Sequence, residues 1–471
     1  MVEKRKTICL FCSLGCGVAF KTSVDQVTAI DYDKENPINK GSLCPRGYYN
    51  LELINHPQRL TEPQIGKKKV SWDEALAFAK NELKKYAPSS IGISVSSIAS
   101  NEDAYMAGKM ANAIGTRNIS AADDPADIEA YQGNKWSVEG AKQENVERIG
   151  DSSALLIIGD VLTRSAVLSK RINQVKYGKR GNQVIVIDPN VTHTSWFATT
   201  HLKNMPGTEA VLMAAILKVI TEENNKGKID IDLQKVSQTV GIPAEAIMRA
   251  AKAFDGAESG TIIFAPSKNI QRNDLVQYFI KAASSFSINK KHITFYSFGN
   301  SLGVNAIIDS MVEDRETNNE DVKAMISLGG DAAASGIKFA VRSSFFAPDK
   351  IDENTVLLPL ASHMEGKGSV TLSGGRKENF RSLAHKVGGM SDLEIIASLM
   401  DNKVDFNEIL EETDKILAKG IKQEKVDLKQ KISEAQDITA KGSALPENIT
   451  HFGDNGLVKR FFWYRVNNKN G

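Results

Sequence analysis

Cys9, Cys12, Cys16 and Cys44 are the residues whose types and spacing most plainly do chemistry, and no cysteine follows Cys44. Their spacing is Cys-x2-Cys-x3-Cys-x27-Cys. Three closely spaced thiolates on one loop can grip three corners of a cube, and a distant fourth closes it. Soft thiolate ligands select iron–sulfur clusters or zinc. Structural zinc sites more often use two short cysteine knuckles, and the second knuckle is missing here. A disulfide framework does not suit a large chain whose remaining length has no cysteine. The pattern therefore favours one [4Fe–4S] cluster, and with it movement of electrons, over zinc or plain thiols. Gly15 and Gly17 bracket Cys16, where backbone would approach inorganic sulfurs. Pro45 follows Cys44 and stiffens the loop at its φ angle. Ordinary turn chemistry is the alternative for these three residues.

Other chemistry is sparse. The seven histidines (His56, His193, His201, His292, His363, His385 and His451) show no metal-binding spacing, which leaves them surface or core roles. No G-x-G-x-x-G follows a strand-like run, so NAD or flavin binding by this chain is not expected.

The elements that must position the cysteines come from the apolar pattern. Residues 154–159 and 184–188 are short, β-branched-rich runs ending in Gly-Asp and Asp-Pro. Between them, residues 165–177 space their apolar side chains like a helix, which makes a βαβ unit and predicts a parallel, doubly wound sheet. A helix is expected over 210–220, and further buried strands over 261–265 and 324–328. Ligands in such sheets sit beyond the carboxyl ends of the strands. Gly159, Asp160, Asp188, Gly329 and Asp331 would lie there, as ligand contacts or simply as chain turns. Residues 402–440 are highly charged with helical spacing, which reads as a solvated arm or hairpin. Four consecutive aromatics, Phe461-Phe462-Trp463-Tyr464, near the last residue fit either the chain's own core or a partner subunit.

The chain has 471 residues with 41% hydrophobic and 25% charged residues and a net charge of +2. That length implies two or three domains. The near-balanced charge does not point to nucleic acid or an anionic membrane. No run of about 18 apolar residues occurs, and neither a signal-peptide stretch nor a twin-arginine pair precedes Cys9. The expectation is a cytoplasmic protein without a span of its own.

The flanking motifs carry a resemblance. Lys40-Gly41-Ser42-Leu43-Cys44-Pro45-Arg46-Gly47 and His56-Pro57-Gln58-Arg59-Leu60-Thr61-Glu62-Pro63 resemble the exit from the cluster domain of the molybdopterin oxidoreductase family. That family includes formate dehydrogenases and nitrate reductases, and the large iron–sulfur subunit of respiratory complex I carries a related domain. Val70-Ser71-Trp72-Asp73-Glu74-Ala75-Leu76 follows, with Ser71 and Glu74 at capping-box spacing. Later landmarks in order are Asn101-Glu102-Asp103, Gly115-Thr116-Arg117-Asn118, Met205-Pro206-Gly207-Thr208-Glu209, Glu365-Gly366-Lys367-Gly368-Ser369 and Gly374-Gly375-Arg376. The resemblance runs from about residue 7 to residue 400.

It implies an α/β fold. A small iron–sulfur domain (1–65) would precede doubly wound parallel-sheet domains of the family's type (66–400, one inserted in the other). A charged helical segment and aromatic tail (401–471) would follow. It also implies departures from the family. Many members place a lysine two residues after the fourth cysteine, between cluster and pterin; here it is Arg46, whose fixed charge would stabilise a reduced cluster. The alternative for Arg46 is an ordinary surface residue. Formate dehydrogenases put a cysteine or selenocysteine on molybdenum or tungsten ahead of the strand matched by 154–159. Here Asp123 and Asp124 are the only nearby candidates, and a turn or helix cap is the competing role. Residue 471 falls about where the family's last, β-rich domain would begin, so the expectation is that another polypeptide supplies it or that it is lost.

The expected function is therefore an electron-transfer subunit of a multi-subunit complex. Cys9, Cys12, Cys16 and Cys44 would hold the cluster, Arg46 would stand beside it, and other iron–sulfur or flavin subunits would be partners. The second reading is a catalytic molybdenum- or tungsten-pterin subunit, of formate or formylmethanofuran dehydrogenase type, whose last domain is a separate chain.

Overall fold

The computed structural model describes residues 3–23, 26–122, 124–316, 321–329, 336–348 and 350–442. Asp123, Asp331, His451 and the aromatic run 461–464 lie outside the described residues.

Three antiparallel strands, Glu3–Ile8, Gly17–Ser23 and Gln26–Tyr32, open the chain. The loop carrying Cys9, Cys12 and Cys16 joins the first two, and the helix Pro45–Asn55 follows Cys44. The Cys9 amide donates to the Cys16 carbonyl at 2.8 Å, which closes that loop at its base.

Two parallel sheets follow. One has five strands in the order Thr200–Leu202, Gln183–Ile187, Ala154–Ile158, Gly260–Phe264, Lys290–Thr294, every neighbour parallel. Its apolar residues alternate between two cores, as a period of two requires. Leu156 and Ile158 pack with the helices Glu209–Glu223, Ala244–Asp255 and Asn273–Phe286. Leu155 and Ile157 face the other way, onto the helix Ser169–Gly178 and the cysteine loop itself. Burial on both faces is why these strands are continuously apolar.

The second sheet has seven strands in the order Lys68–Lys69, Gln64–Ile65, Thr355–Pro359, Phe339–Ser344, Ala324–Leu328, Ile91–Ser96, Ile119–Ala122. Its two short first strands are antiparallel and the rest parallel. The strands of the five-stranded sheet all fall in sequence between Ile119–Ala122 and Ala324–Leu328. Among the described residues capping boxes start three α-helices: Ser71 with Glu74, Ser100 with Asp103, and Ser391 with Glu394.

The charged stretch 402–440 departs from the expected solvated arm. It forms the helices Phe406–Ala418 and Leu428–Gln436, and both are docked. Ile409 and Ile416 join the core of the seven-stranded sheet, while Ile432 and Ala435 join that of the five-stranded one. A narrow apolar stripe among charges is enough to bury one face of each helix. Among the described residues no helix is long and apolar enough to cross a membrane.

A hairpin of Gly368–Leu372 and Arg376–Phe380 completes the architecture. Val370, Leu372 and Phe380 pack on Ile8 and Leu10 at the entrance to the cysteine loop.

Candidate functional site

The four cysteines share one environment. Cys9, Cys12 and Cys16 are buried and Cys44 is half-buried, and none forms a disulfide. Burial pushes the Cys9 thiol up to about 12, and the charges of Cys12 and Cys44 push the same way. Cys12 is raised by burial, with the Arg46 guanidinium pulling against it. Cys16 is raised well above the ordinary thiol value by burial and by the other three cysteines, and Arg376 opposes the rise. These mutual effects place all four sulfurs within electrostatic reach of one another. Left alone, such a group stays protonated. A centre of positive iron removes that obstacle, because a coordinated thiol is deprotonated outright. The donor set therefore fits an iron–sulfur cluster.

Local structure fixes the cysteines. Cys44 occupies the N-cap position of Pro45–Asn55, with Pro45 in the first turn. The backbone amides at a helix start favour negative charge there. Two side chains not singled out in the sequence act on the thiols: Asn50 lowers Cys9 and Ser165 lowers Cys12, each against the larger effect of burial. Neither belongs to a recognisable pattern, so only the folded chain reveals them. Ser13, between two ligands, donates to the Tyr296 carbonyl at 2.9 Å and accepts from the Ser373 hydroxyl at 2.6 Å. The cradle thus draws on the amino-terminal loop, the five-stranded unit and the hairpin together.

The two glycines sit where a side chain has no room. Gly15 has φ +63°, and a Cβ there would meet Leu372 Cδ1 at 2.1 Å and Arg376 Nη2 at 2.9 Å. A Cβ on Gly17 would meet the Asn36 side chain at 2.3 Å. Both make room for protein groups that clamp the loop.

Arg46 is not a free surface residue. Its Nη1 donates to the Arg164 carbonyl at 2.7 Å and its Nη2 to the Thr163 carbonyl. The guanidinium ties the cluster segment to the five-stranded unit while its charge acts on Cys12.

Asp124 is a helix cap. Its Oδ1 accepts from the Ala126 amide at 2.9 Å, and its Oδ2 lies 3.9 Å from buried Arg164. Gly159, Asp160, Asp188 and Gly329 do follow the carboxyl ends of parallel strands. The acids there tie loops: Asp160 accepts from the Thr163 and Thr194 hydroxyls, and Asp188 from the Asn190 amide at 2.7 Å. Glu209 lines a narrow pocket with Gly159, Asp160 and Asp188. Burial pushes its carboxyl up to about 7, and the Asn204 side chain and nearby amides pull it back.

Three of the described histidines are held by protein groups. His292 is buried against Ser284, His363 sits against the Ile8 carbonyl at 3.0 Å, and His201 against the Asp188 carbonyl at 2.8 Å. Among the described residues no three His, Cys, Asp or Glu groups converge on a position for a single metal ion.

A cavity of roughly 1000 Å³ opens at the carboxyl ends of the seven-stranded sheet. Leu10, Phe11 and Asn50 wall it on the cluster side, and Asp103, Lys367 and Asp392 line it elsewhere. Burial raises the carboxyls of Asp103 and Asp392, and Asp103 adds to the rise at Asp392.

Comparison with known proteins adds the family. The family described as molybdopterin oxidoreductase matches residues 59–401, and the molybdopterin oxidoreductase Fe4S4 domain matches residues 2–56. The chain is 29% identical over 281 residues to the F420-dependent formate dehydrogenase 2 subunit alpha of Methanococcus maripaludis, covering 55% of this chain and 41% of that one. It is 30% identical over 282 residues to the F420-dependent formate dehydrogenase subunit alpha of Methanocaldococcus jannaschii, covering 55% and 42%. The chain thus matches about two fifths of the length of these curated relatives. Among solved structures, acetylene hydratase from Pelobacter acetylenicus shares the fold with a TM-score of 0.63 at 17% identity, over 84% of this chain and 69% of that one.

Proposed function

Because the chain belongs to the molybdopterin oxidoreductase family, we propose that it is the iron–sulfur electron-transfer subunit of a multi-subunit oxidoreductase. Cys9, Cys12, Cys16 and Cys44 hold one [4Fe–4S] cluster, which accepts single electrons from one redox subunit and passes them to another. No bond at the protein is made or broken in that step. The chain's own part is to exclude water from three of the four ligands and to set cationic groups, Arg46 and Arg376, near the sulfurs.

The observation that carries this reading is the contrast between two sites. The cradle offers three buried thiols and the half-buried Cys44. Of the two acids weighed for the family's metal-ligand position, Asp124 is already used as a helix cap and faces Arg164, and Asp123 lies outside the described residues. The names of the relatives make formate the first substrate to test for the complex.

A second reading rests on the roughly 1000 Å³ cavity beside the cluster loop, which is large enough for a sizeable cofactor. Under it, the chain binds a molybdenum- or tungsten-pterin and supplies part of a catalytic site.

Elemental analysis of the anaerobically purified chain and of its complex separates the two. The first reading expects about four irons per chain with no molybdenum or tungsten, and no formate oxidation by the chain alone. Stoichiometric molybdenum or tungsten bound to this chain would overturn it in favour of the second.

A further inference from the structure

Arg376 stands at the end of the tight turn Ser373–Gly375, where Gly374 and Gly375 have φ of +77° and +74°. The turn aims it across the fold at the cysteine loop. Its Nη2 donates to the Leu14 carbonyl at 2.8 Å and lies 3.5 Å from that of Gly15, the residue before Cys16. Its Nη1 pairs with Glu378 on the same strand. Its Nε is buried and has no acceptor in the protein. An unsatisfied buried donor of a charged group is expensive, and it belongs here to a guanidinium held against the backbone of Leu14 and Gly15, directly before Cys16. The contact is tight, since Gly15 has no room for a Cβ against Arg376 and Leu372. The Ser13–Ser373 hydrogen bond and the Ser373 amide donating to the Ser13 carbonyl at 3.0 Å hold the turn in place.

We infer that Arg376 is a positioning residue that raises the cluster's reduction potential, offering a hydrogen-bond donor and positive charge to the Cys16 corner. The inference rests on the reading that the four cysteines hold a [4Fe–4S] cluster. Reduction adds one electron and one negative charge to the cluster and breaks no bond. Hydrogen bonds to the sulfurs and nearby positive charge favour the reduced state. Glu378 works against Arg376, because its carboxylate cancels part of the guanidinium charge. Removing either partner should therefore move the potential in opposite directions, which a purely structural clamp would not do.

The test is an EPR-monitored redox titration of the full chain, reconstituted anaerobically with iron and sulfide. Arg376→Met is expected to lower the reduced-to-oxidised ratio at fixed potential by about tenfold, equivalent to about 59 mV for one electron. Arg376→Lys should recover most of that shift, and Glu378→Gln should move the midpoint the opposite way. Unchanged midpoints in both Arg376→Met and Glu378→Gln, at full iron content, would overturn the inference. If Arg376→Met takes up no cluster, Glu378→Gln decides: a positive shift supports the inference and an unmoved midpoint overturns it. Wild-type chain without a [4Fe–4S] signal would instead remove the underlying reading, and this inference with it.

Discussion

A thiol buried among other thiols resists ionisation, so Cys9, Cys12 and Cys16 would each depend on a metal that their neighbours also hold. Cys16→Ser should therefore lose iron from the whole site, with the iron count and the visible cluster absorption falling together. Asp124 predicts the reverse pattern. Asp124→Ala should cost about 1 kcal/mol through the lost cap, read by denaturant unfolding, with metal content unchanged. His292 gives a pH signature. Burial, with the charge of Lys281, pulls it down to about 4 from an ordinary 6.5. The unfolded chain binds more protons between those values, so the contribution of neutral His292 is complete above about pH 6.5 and is lost as pH falls toward 4. Stability should drop more steeply through that window in wild type than in His292→Gln, by up to about 3 kcal/mol. Denaturation curves at pH 7 and pH 5 check it. At this scale the shared cysteine environment was legible because cysteine is rare here and closely spaced. Asn50 and Ser165 were not, since nothing in a lone Asn or Ser says what the fold will bring beside it.

Elements carry the next layer. The βαβ unit and the buried strands read correctly because β-branched runs punctuated by Gly-Asp and Asp-Pro have few alternatives. Strand Ala324–Leu328 coincides with its expected bounds, and the helix expected over 210–220 runs Glu209–Glu223. The charged stretch read less well. Its single apolar stripe was outweighed by the count of Lys and Glu, though Ile409 and Ile432 are buried. Tertiary ties between elements were also beyond pattern. Arg59, in the exit from the cluster segment, pairs with Glu365 after the strand Thr355–Pro359, the two side chains only 2% and 0% exposed. Arg59 also donates to the Leu360 carbonyl at 3.0 Å, and Glu365 accepts from the Ser362 and Val387 amides, each at 2.8 Å. Breaking such a pair strands a buried charge. Glu365→Gln should lose about 3–5 kcal/mol, and Arg59→Met with Glu365→Leu should recover much of it. Unfolding midpoints of the two variants check the difference.

Across the whole molecule, the amino-terminal segment is not a separable module. Phe11, Leu14, Val18 and Phe20 share one core with Leu155, Ile157, Ile263 and Phe295 of the five-stranded unit. A fragment of residues 1–65 would expose that apolar surface to water. It should aggregate or fail to hold a cluster when given iron and sulfide, whereas the full chain takes it up; iron per chain after desalting measures the difference. The two docked helices near the end of the described chain act at the same scale, since one is anchored in each sheet's core.

The clamp between Ser13 and Ser373 also sets a schedule. The ligand loop leaves the ribosome first, but Tyr296, Ser373 and Arg376, which hold it in shape, emerge hundreds of residues later. At roughly 5–20 residues per second, tens of seconds pass before the loop has its full mould. Through that interval the nascent chain carries reduced, unshaped thiols exposed to oxidant and to stray zinc. A cluster held by these thiols would therefore find its full mould only after Arg376 has emerged, and the thiols need guarding until then.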